Sequence, residues 1–241
     1  MKKITAILLA LLLLLMTGCS GNSENPAGNV ESLPAATQPD NSGTVETAPA
    51  AEDTTVSLGR MEGGVYTNSY AGFGCQLDAN WTFYTAEELQ ELPENVAEMF
   101  ADSELMEGNA VPEQISDMMA ENVNDLTTIN VLYTKLSMQE RLLYAAMSHE
   151  AALDTVMAQK DSLIATYEQA GYTVESMEIV TVTFLGEEYP ALYSVMTIEG
   201  VSYYTLQLMN YKVGQYGVTL TLASFLEDNT GKLLELFYAV E

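Results

Sequence analysis

The final third of the chain carries four segments of alternating apolar residues, joined by links of only two or three residues. The segments are 175–185, 189–198, 201–212 and 216–225. Links this short cannot hold the crossover that a parallel pair of strands requires, so neighbouring segments must run antiparallel. The pattern therefore predicts an antiparallel sheet that includes a four-strand C-terminal meander. If alternation continues through each strand, Tyr203 and Tyr211 lie on the same face.

Upstream of the meander the apolar period changes several times along the chain. Extended segments are predicted at 65–77, 81–83 and 127–136, the last with Ile129, Val131 and Tyr133 on one side. The remaining apolar spacing is helical at 93–122, with breaks near Gly108 and Pro112, and at 228–240. Strands and helices in this proportion predict an α+β fold, in which helices pack on an antiparallel sheet.

Two sequence pairs mark where helices begin. Thr85 with Glu88, and Ser137 with Glu140, have the spacing of a capping box, in which each side chain bonds the other residue's backbone N–H. The first pair predicts a helix from residue 86 to 91. The second predicts one long helix that ends at Gly171.

Composition divides the chain into a linker and a folded part. Residues 20–57 contain no Lys, Arg, Phe, Tyr or Trp, whereas the single Trp, all 6 Phe and all 14 Tyr lie further along. A segment of this kind has too little apolar surface to form a core. We therefore expect a disordered tether at 19–59 and one α+β domain at 60–241.

The amino terminus has the features of a lipoprotein signal peptide. Lys2 and Lys3 precede an apolar run at 4–16, which is too short for a comfortable membrane span. The following residues, Leu15-Met16-Thr17-Gly18-Cys19, resemble the bacterial lipobox. The resemblance implies a signal peptide at 1–18, lipidation of Cys19 and anchoring, through acyl chains such as palmitate, on the extracytoplasmic face of the cell membrane. The alternative is an ordinary secretory signal with an incidental cysteine.

A short motif at the start of the domain resembles a known family. It consists of Val65-Tyr66-Thr67-Asn68-Ser69-Tyr70-Ala71-Gly72-Phe73, followed by Leu77 and Trp81. It is similar to the opening of PsbP-like domains, which also occur in uncharacterised lipoproteins of clostridial-type bacteria, and it departs from their pattern at Ala71 and Asp78. The resemblance implies a PsbP-like α/β/α sandwich at 60–241 that acts as a binding or accessory domain and not as an enzyme.

The charge of the chain limits its partners. The formal net charge is −26, from 8 basic and 34 acidic residues. Nucleic acid is excluded as a partner, because phosphate binding depends on clustered Lys and Arg. One histidine and two cysteines supply too few ligands for a typical zinc site, and no cofactor motif is present. A basic envelope protein is the partner class that such a charge favours.

The acids are concentrated in the first half of the domain. Residues 61–134 hold fourteen Asp and Glu and no Lys or Arg. Glu87, Glu91, Glu94 and Glu98 recur at helical spacing, so they could share one face and bind a divalent cation or a partner. The simpler interpretation is a solvated surface that keeps a tethered protein soluble.

His149 and Cys75 are the residues whose chemistry could support catalysis. His149 is the only histidine, so a Ser–His–Asp or Cys–His site would have to use it, but its position on the apolar edge of a helix favours a boundary residue with a hydrogen-bond partner. Cys75 lies in an alternating segment, which favours a buried strand residue over a reactive thiol.

These observations support two hypotheses about function. The first is a lipid-anchored, non-catalytic binding or accessory domain that acts on an envelope protein. The second is an extracytoplasmic protein that binds a small ligand or a divalent cation, with a carboxylate-dependent hydrolase as a weaker variant. The sequence names no specific partner or ligand, and it leaves the oligomeric state open.

Overall fold

A computed structural model describes residues 57–99 and 113–240 of the chain. The signal peptide and nearly all of the tether lie outside these residues, and so does Cys19. The strands and helices, in chain order, are β1 Arg60–Glu62, β2 Val65–Asn68, β3 Phe73–Gln76, β4 Trp81–Phe83, α1 Ala86–Met99, β5 Gln114–Asn122, β6 Thr127–Lys135, α2 Met138–Ala146, α3 His149–Met157, α4 Lys160–Gln169, β7 Tyr172–Phe184, β8 Glu187–Ile198, β9 Val201–Val213, β10 Tyr216–Phe225, α5 Thr230–Leu234 and β11 Phe237–Ala239.

The described strands form two antiparallel sheets. The large sheet has seven strands in the order β4-β5-β6-β10-β9-β8-β7, and the small sheet has four in the order β1-β2-β3-β11. Strands β7 to β10 are neighbours in chain order, with tight turns at Gly186 and Gly200, both of which have positive φ. An antiparallel sheet packed by helices is therefore confirmed.

The large sheet is buried on both faces. One face packs on the small sheet, and its core includes Ile129, Val131 and Tyr133, all fully buried as the alternation predicts. The other face is covered in part by α3 and α4, whose Leu153, Leu163 and Tyr167 pack against the sheet. Helix α1 contributes Leu89 and Leu92 beside Met119. The small sheet and the helices thus form the outer layers around the large sheet.

The predicted helix at 93–122 is wrong in its second half. Residues Gln114–Asn122 form β5, where Met118 faces the small sheet and Met119 faces α1. A strand that is buried on both faces shows no simple alternation, so its apolar run resembles a helix in sequence.

The predicted long helix is three short helices. Helix α2 ends at Met147, whose ψ of 151° is extended, and Ser148 then caps α3 by accepting from the Ala151 N–H at 3.2 Å. A further break separates α3 from α4, and Gly171 follows with φ of +88°. The capping boxes at Thr85 and Ser137 are both present, as predicted.

Two further predictions fail at irregular backbone. The closing helix covers only Thr230–Leu234, and Phe237 instead pairs with Cys75 to add β11 to the small sheet. Tyr203 packs against the helices whereas Tyr211 packs toward the small sheet. The cause is the irregular register between β9 and β10, where Leu208 to Lys212 face only Val218 to Leu220, so the alternation is interrupted.

No helix within the described ranges is both long enough and apolar enough to cross a membrane.

Candidate functional site

The predicted acidic face begins on α1. Glu87, Glu88 and Glu91 are exposed there, and Glu88 is engaged in the capping box with Thr85. The side chains of Glu94 and Glu98 lie outside the described residues. Within the described part of the chain, no three Asp, Glu, His or Cys side chains are grouped closely enough to hold a metal ion. What the structure describes of this face is a solvated carboxylate surface.

One acid of the 61–134 set is turned inward. Asp117 lies at a break in the pairing of β5 with β6, where Ser116 and Met118 pair with consecutive residues of β6 and leave Asp117 as the extra residue. A bulge of this kind redirects a side chain. Its carboxylate accepts from the Gly59 N–H at 2.9 Å and from the Tyr66 hydroxyl at 2.5 Å.

Asn68 completes this arrangement from the small sheet. It is fully buried, and its amide nitrogen lies 2.8 Å from the Asp117 carboxylate, 2.7 Å from the Tyr66 hydroxyl and 2.6 Å from the Tyr133 hydroxyl. Its amide oxygen accepts from the Ala71 N–H at 2.8 Å. We call Tyr66, Asn68, Asp117 and Tyr133 the inter-sheet network, since it joins β2 to β5 and β6.

The electrostatics of the inter-sheet network are those of a closed structural link. Burial raises the pKa of Asp117, while hydrogen bonds from Tyr66, Gly59 and Asn68 lower it in part. Burial, and then the charge of Asp117, raise the pKa of Tyr66 well above its usual value. The Tyr66 hydroxyl therefore stays protonated and donates to the carboxyl group of Asp117. Tyr66 and Asn68 belong to the motif that resembles PsbP-like domains. Their hydrogen bonds in the network show what these two side chains do in the fold.

Sequence reasoning counted Asp117 only as one acid among fourteen. Its signal was present, because it stands between Ile115 and Met118 in an apolar run, where a charge requires a partner. That signal was hidden by the helical interpretation of 93–122.

His149 lies at the first position of α3 and is exposed. The Tyr189 hydroxyl lies 2.7 Å from its Nδ1 and 2.9 Å from its Nε2, and donates to the Tyr211 carbonyl oxygen at 3.1 Å. Desolvation of the ring lowers the pKa of His149 from its usual value. The structure thus gives it the setting expected of a boundary histidine.

Cys75 lies on β3, fully buried. Burial raises the pKa of its thiol to about 12, so the thiolate that a nucleophile requires is not formed near neutral pH.

A cleft of about 680 Å³ opens where the two sheets meet beside β7. One wall is the end of β7 and its turn, and the other is α5 with β11. The lining residues are Val182, Thr183, Leu185, Gly186, Gly231, Leu234, Glu235, Phe237, Tyr238 and Ala239. Its volume is in the range of ligand sites. Sequence reasoning did not find it, because its walls come from segments about fifty residues apart.

Comparison with known proteins found similarity to solved structures. No family model matches the chain, and no curated protein matches it. The solution structure of cyanobacterial PsbP (CyanoP) from Synechocystis sp. PCC 6803 is similar, with 9% identity over 79% of this chain and 97% of that chain, and a TM-score of 0.37. A likeness at these values transfers no residue roles to this chain.

Proposed function

We propose that this chain is a lipid-anchored extracytoplasmic lipoprotein, whose PsbP-like α+β domain binds a basic protein of the cell envelope without catalysing a reaction. The observation that carries the proposal is the charge: 34 acids against 8 bases, with fourteen acids and no base in residues 61–134. A surface of one sign steers an oppositely charged partner and speeds its association.

Three of the described basic side chains bond to other residues of the chain. Lys135 is paired with Glu113 at 2.7 Å, Lys160 donates to the Met177 carbonyl oxygen, and Lys232 donates to Asn229. These three cations are therefore held in bonds to the chain itself. The carboxylates of Glu87 and Glu91 on α1 face solvent, where a partner can reach them.

The anchor and tether place this surface in the envelope. Lipidation of Cys19 would hold the chain at the membrane through two or three acyl chains. A tether of the composition found at 19–59 would give a root-mean-square reach of roughly 30–40 Å, which would let the domain meet a partner away from the bilayer.

The anchor is tested by metabolic labelling with a clickable palmitate. We expect the chain to be labelled and Cys19→Ala to be unlabelled. Labelling that is unchanged in Cys19→Ala would refute lipidation at this residue.

Partner binding is tested by crosslinking in intact envelopes, followed by affinity recovery. We expect one reproducible basic protein, with roughly threefold lower recovery for Glu87→Gln/Glu91→Gln. The matched control is Asp161→Asn/Glu168→Gln, which removes the same charge from α4. Recovery of no reproducible partner, or an equal loss with both double variants, would contradict the proposal.

The cleft beside β7 favours a second candidate, the binding of a small apolar ligand. Its lining includes Leu234 and Phe237, and its volume would admit a drug-sized molecule. Titration with Nile red should then show saturable fluorescence that Leu234→Asp abolishes.

The hypothesis that the acidic face of α1 binds a divalent cation is tested by calorimetric titration with calcium or magnesium. A flat trace would refute it.

A further inference from the structure

The long edge strand of the large sheet, β7, has features that hinder pairing with another chain along only half of its length. β7 spans Tyr172–Phe184, and β8 is the only described strand that pairs with it. In its first half, an irregularity at Glu175 interrupts the register, α4 packs alongside, and Lys160 Nζ donates to the Met177 carbonyl oxygen at 2.9 Å. These are devices that stop an edge from pairing with another chain. The second half, from Glu178 to Phe184, has no proline, glycine or lysine.

The pairing with β8 fixes which backbone groups of β7 point outward. Thr181 lies opposite Pro190, which has no N–H. The two therefore cannot form a hydrogen-bonded pair, and the N–H and C=O of Thr181 point away from β8. The bond from Lys160 to the Met177 carbonyl independently shows that Met177, four residues earlier, also points outward. With a period of two, Ile179, Thr181 and Thr183 present their backbone groups at the free edge.

The cleft adjoins the end of this half of β7. Val182 and Thr183 line it, together with Leu234 and Phe237. A strand added beside β7 would place alternate side chains over the cleft, so main-chain bonds and side-chain contacts would come from one docking event. The segment Ile-Val-Thr-Val-Thr-Phe at 179–184 has five β-branched residues, one aromatic residue and no charge, which suits strand pairing.

The surrounding charge indicates the occupant. Glu178, Glu187, Glu188 and Glu235 are all exposed around the edge and cleft. A second copy of this chain, which carries the same negative charge, would be repelled there. We propose that the edge of β7 from Ile179 to Thr183 binds an extended basic segment of a partner protein, which adds to the large sheet as an eighth strand. The basic character of the partner rests on the proposed function, whereas the open edge does not.

The probe for this site is a short synthetic peptide of alternating lysine and valine, blocked at both ends. Binding to the full chain in detergent is measured by calorimetry. The control peptide has the same sequence with alternate amides methylated, so it keeps the charge but loses the donors along one edge. We expect the unmodified peptide to bind and the methylated peptide to bind roughly tenfold more weakly.

The matched protein variants are Thr181→Pro and Thr181→Val. Proline removes the outward N–H and leaves the ladder to β8 intact, because Thr181 makes no ladder bond there. Valine keeps the N–H and the side-chain volume. We expect roughly tenfold weaker peptide binding for Thr181→Pro and less than about twofold change for Thr181→Val. Far-ultraviolet circular dichroism checks that both variants fold. If Thr181→Pro fails to fold, the methylated peptide decides the question alone.

Absence of peptide binding, or binding that neither methylation nor Thr181→Pro weakens, would overturn strand addition. Dimerisation of the chain that Thr181→Pro abolishes would overturn the basic partner in favour of a second copy. Crosslinking in intact envelopes separates this inference from the proposed function. A partner recovered equally by Thr181→Pro and Thr181→Val would leave the proposed function standing and remove β7 as its docking edge.

Discussion

Two sets of buried polar residues lie on opposite faces of the seven-stranded sheet, and they differ in hydrogen bonding. On the face toward the small sheet, the inter-sheet network satisfies Asn68 and Asp117 through several short bonds. On the face toward the helices, a polar row crosses the central strands. Its members are Asn130, Thr221, Gln207, Thr205 and Ser194, which are all at most 2% exposed.

The polar row is poorly satisfied within the described part of the chain. Both amide atoms of Asn130, the amide oxygen of Gln207 and the hydroxyls of Thr205 and Ser194 have no hydrogen-bond partner there. Each such group costs roughly 1–3 kcal/mol of desolvation. The comparison shows that burial alone does not decide what a polar side chain contributes. A satisfied group joins two sheets, whereas an unsatisfied group of the same kind weakens the fold.

The largest expected effect comes from a substitution in the inter-sheet network, whose polar groups are hydrogen-bonded. Asn68→Leu keeps the side-chain size but removes the hydrogen bonds that Asn68 makes to the Tyr133 hydroxyl, the Ala71 N–H and the Asp117 carboxylate. We expect the free energy of unfolding to fall by about 3 kcal/mol. Urea denaturation followed by circular dichroism measures it. A loss of less than about 1 kcal/mol would mean that the network adds little.

The matched substitution on the other face has the opposite expected sign. Asn130→Leu removes two unsatisfied polar atoms from an apolar setting and breaks no bond to a described residue. We expect the free energy of unfolding to rise by about 1 kcal/mol. The same denaturation series, run with Asn68→Leu, makes the comparison direct. A destabilised Asn130→Leu would show that the asparagine amide has a partner in solution.

The smallest expected effect is a pH dependence that belongs to Asp117. Its folded pKa is raised above the usual 3.8, mainly by burial, so the folded state holds this proton more tightly than the unfolded state. Stability from this group is therefore present below pH 3.8 and is lost as pH rises through the folded pKa. We expect the difference in unfolding free energy between wild type and Asp117→Asn to change in that window and to stay level above it. A difference that is flat from pH 3 to 8 would place the folded pKa at its ordinary value.

The predictability of each strand followed the alternation of its apolar and polar residues, because β6 and β10 are buried on both faces and were still predicted. The meander strands and β6 were predicted because they alternate, and both capping boxes were read from two residues each. β5 was missed because Met118 and Met119 are buried on opposite faces. The break before α3 was missed because its cap, Ser148, lies inside an apolar spacing that continues across the break, although α2 buries none of its residues and its Leu142 is exposed.

The candidate sites were predicted less well for a similar reason. The acidity of residues 61–134 follows from residue counts, but those counts include Asp117, which a bulge turns inward. The cleft and the open edge of β7 could not be foreseen, because they depend on which strand ends the sheet and on where β11 lies.

The sequence by itself determined the antiparallel pairing of the C-terminal strands, the capped helix starts and the acidity of the domain. These follow from local period, local hydrogen bonding and total charge, which need no long-range contact. Tertiary structure alone decided that Asn68 meets Asp117 and Tyr133, and that no described strand pairs with the outer side of the second half of β7, beside a cleft. Such features arise from strands that are distant along the chain, and their hydrogen bonds become visible only once those strands have been paired and layered.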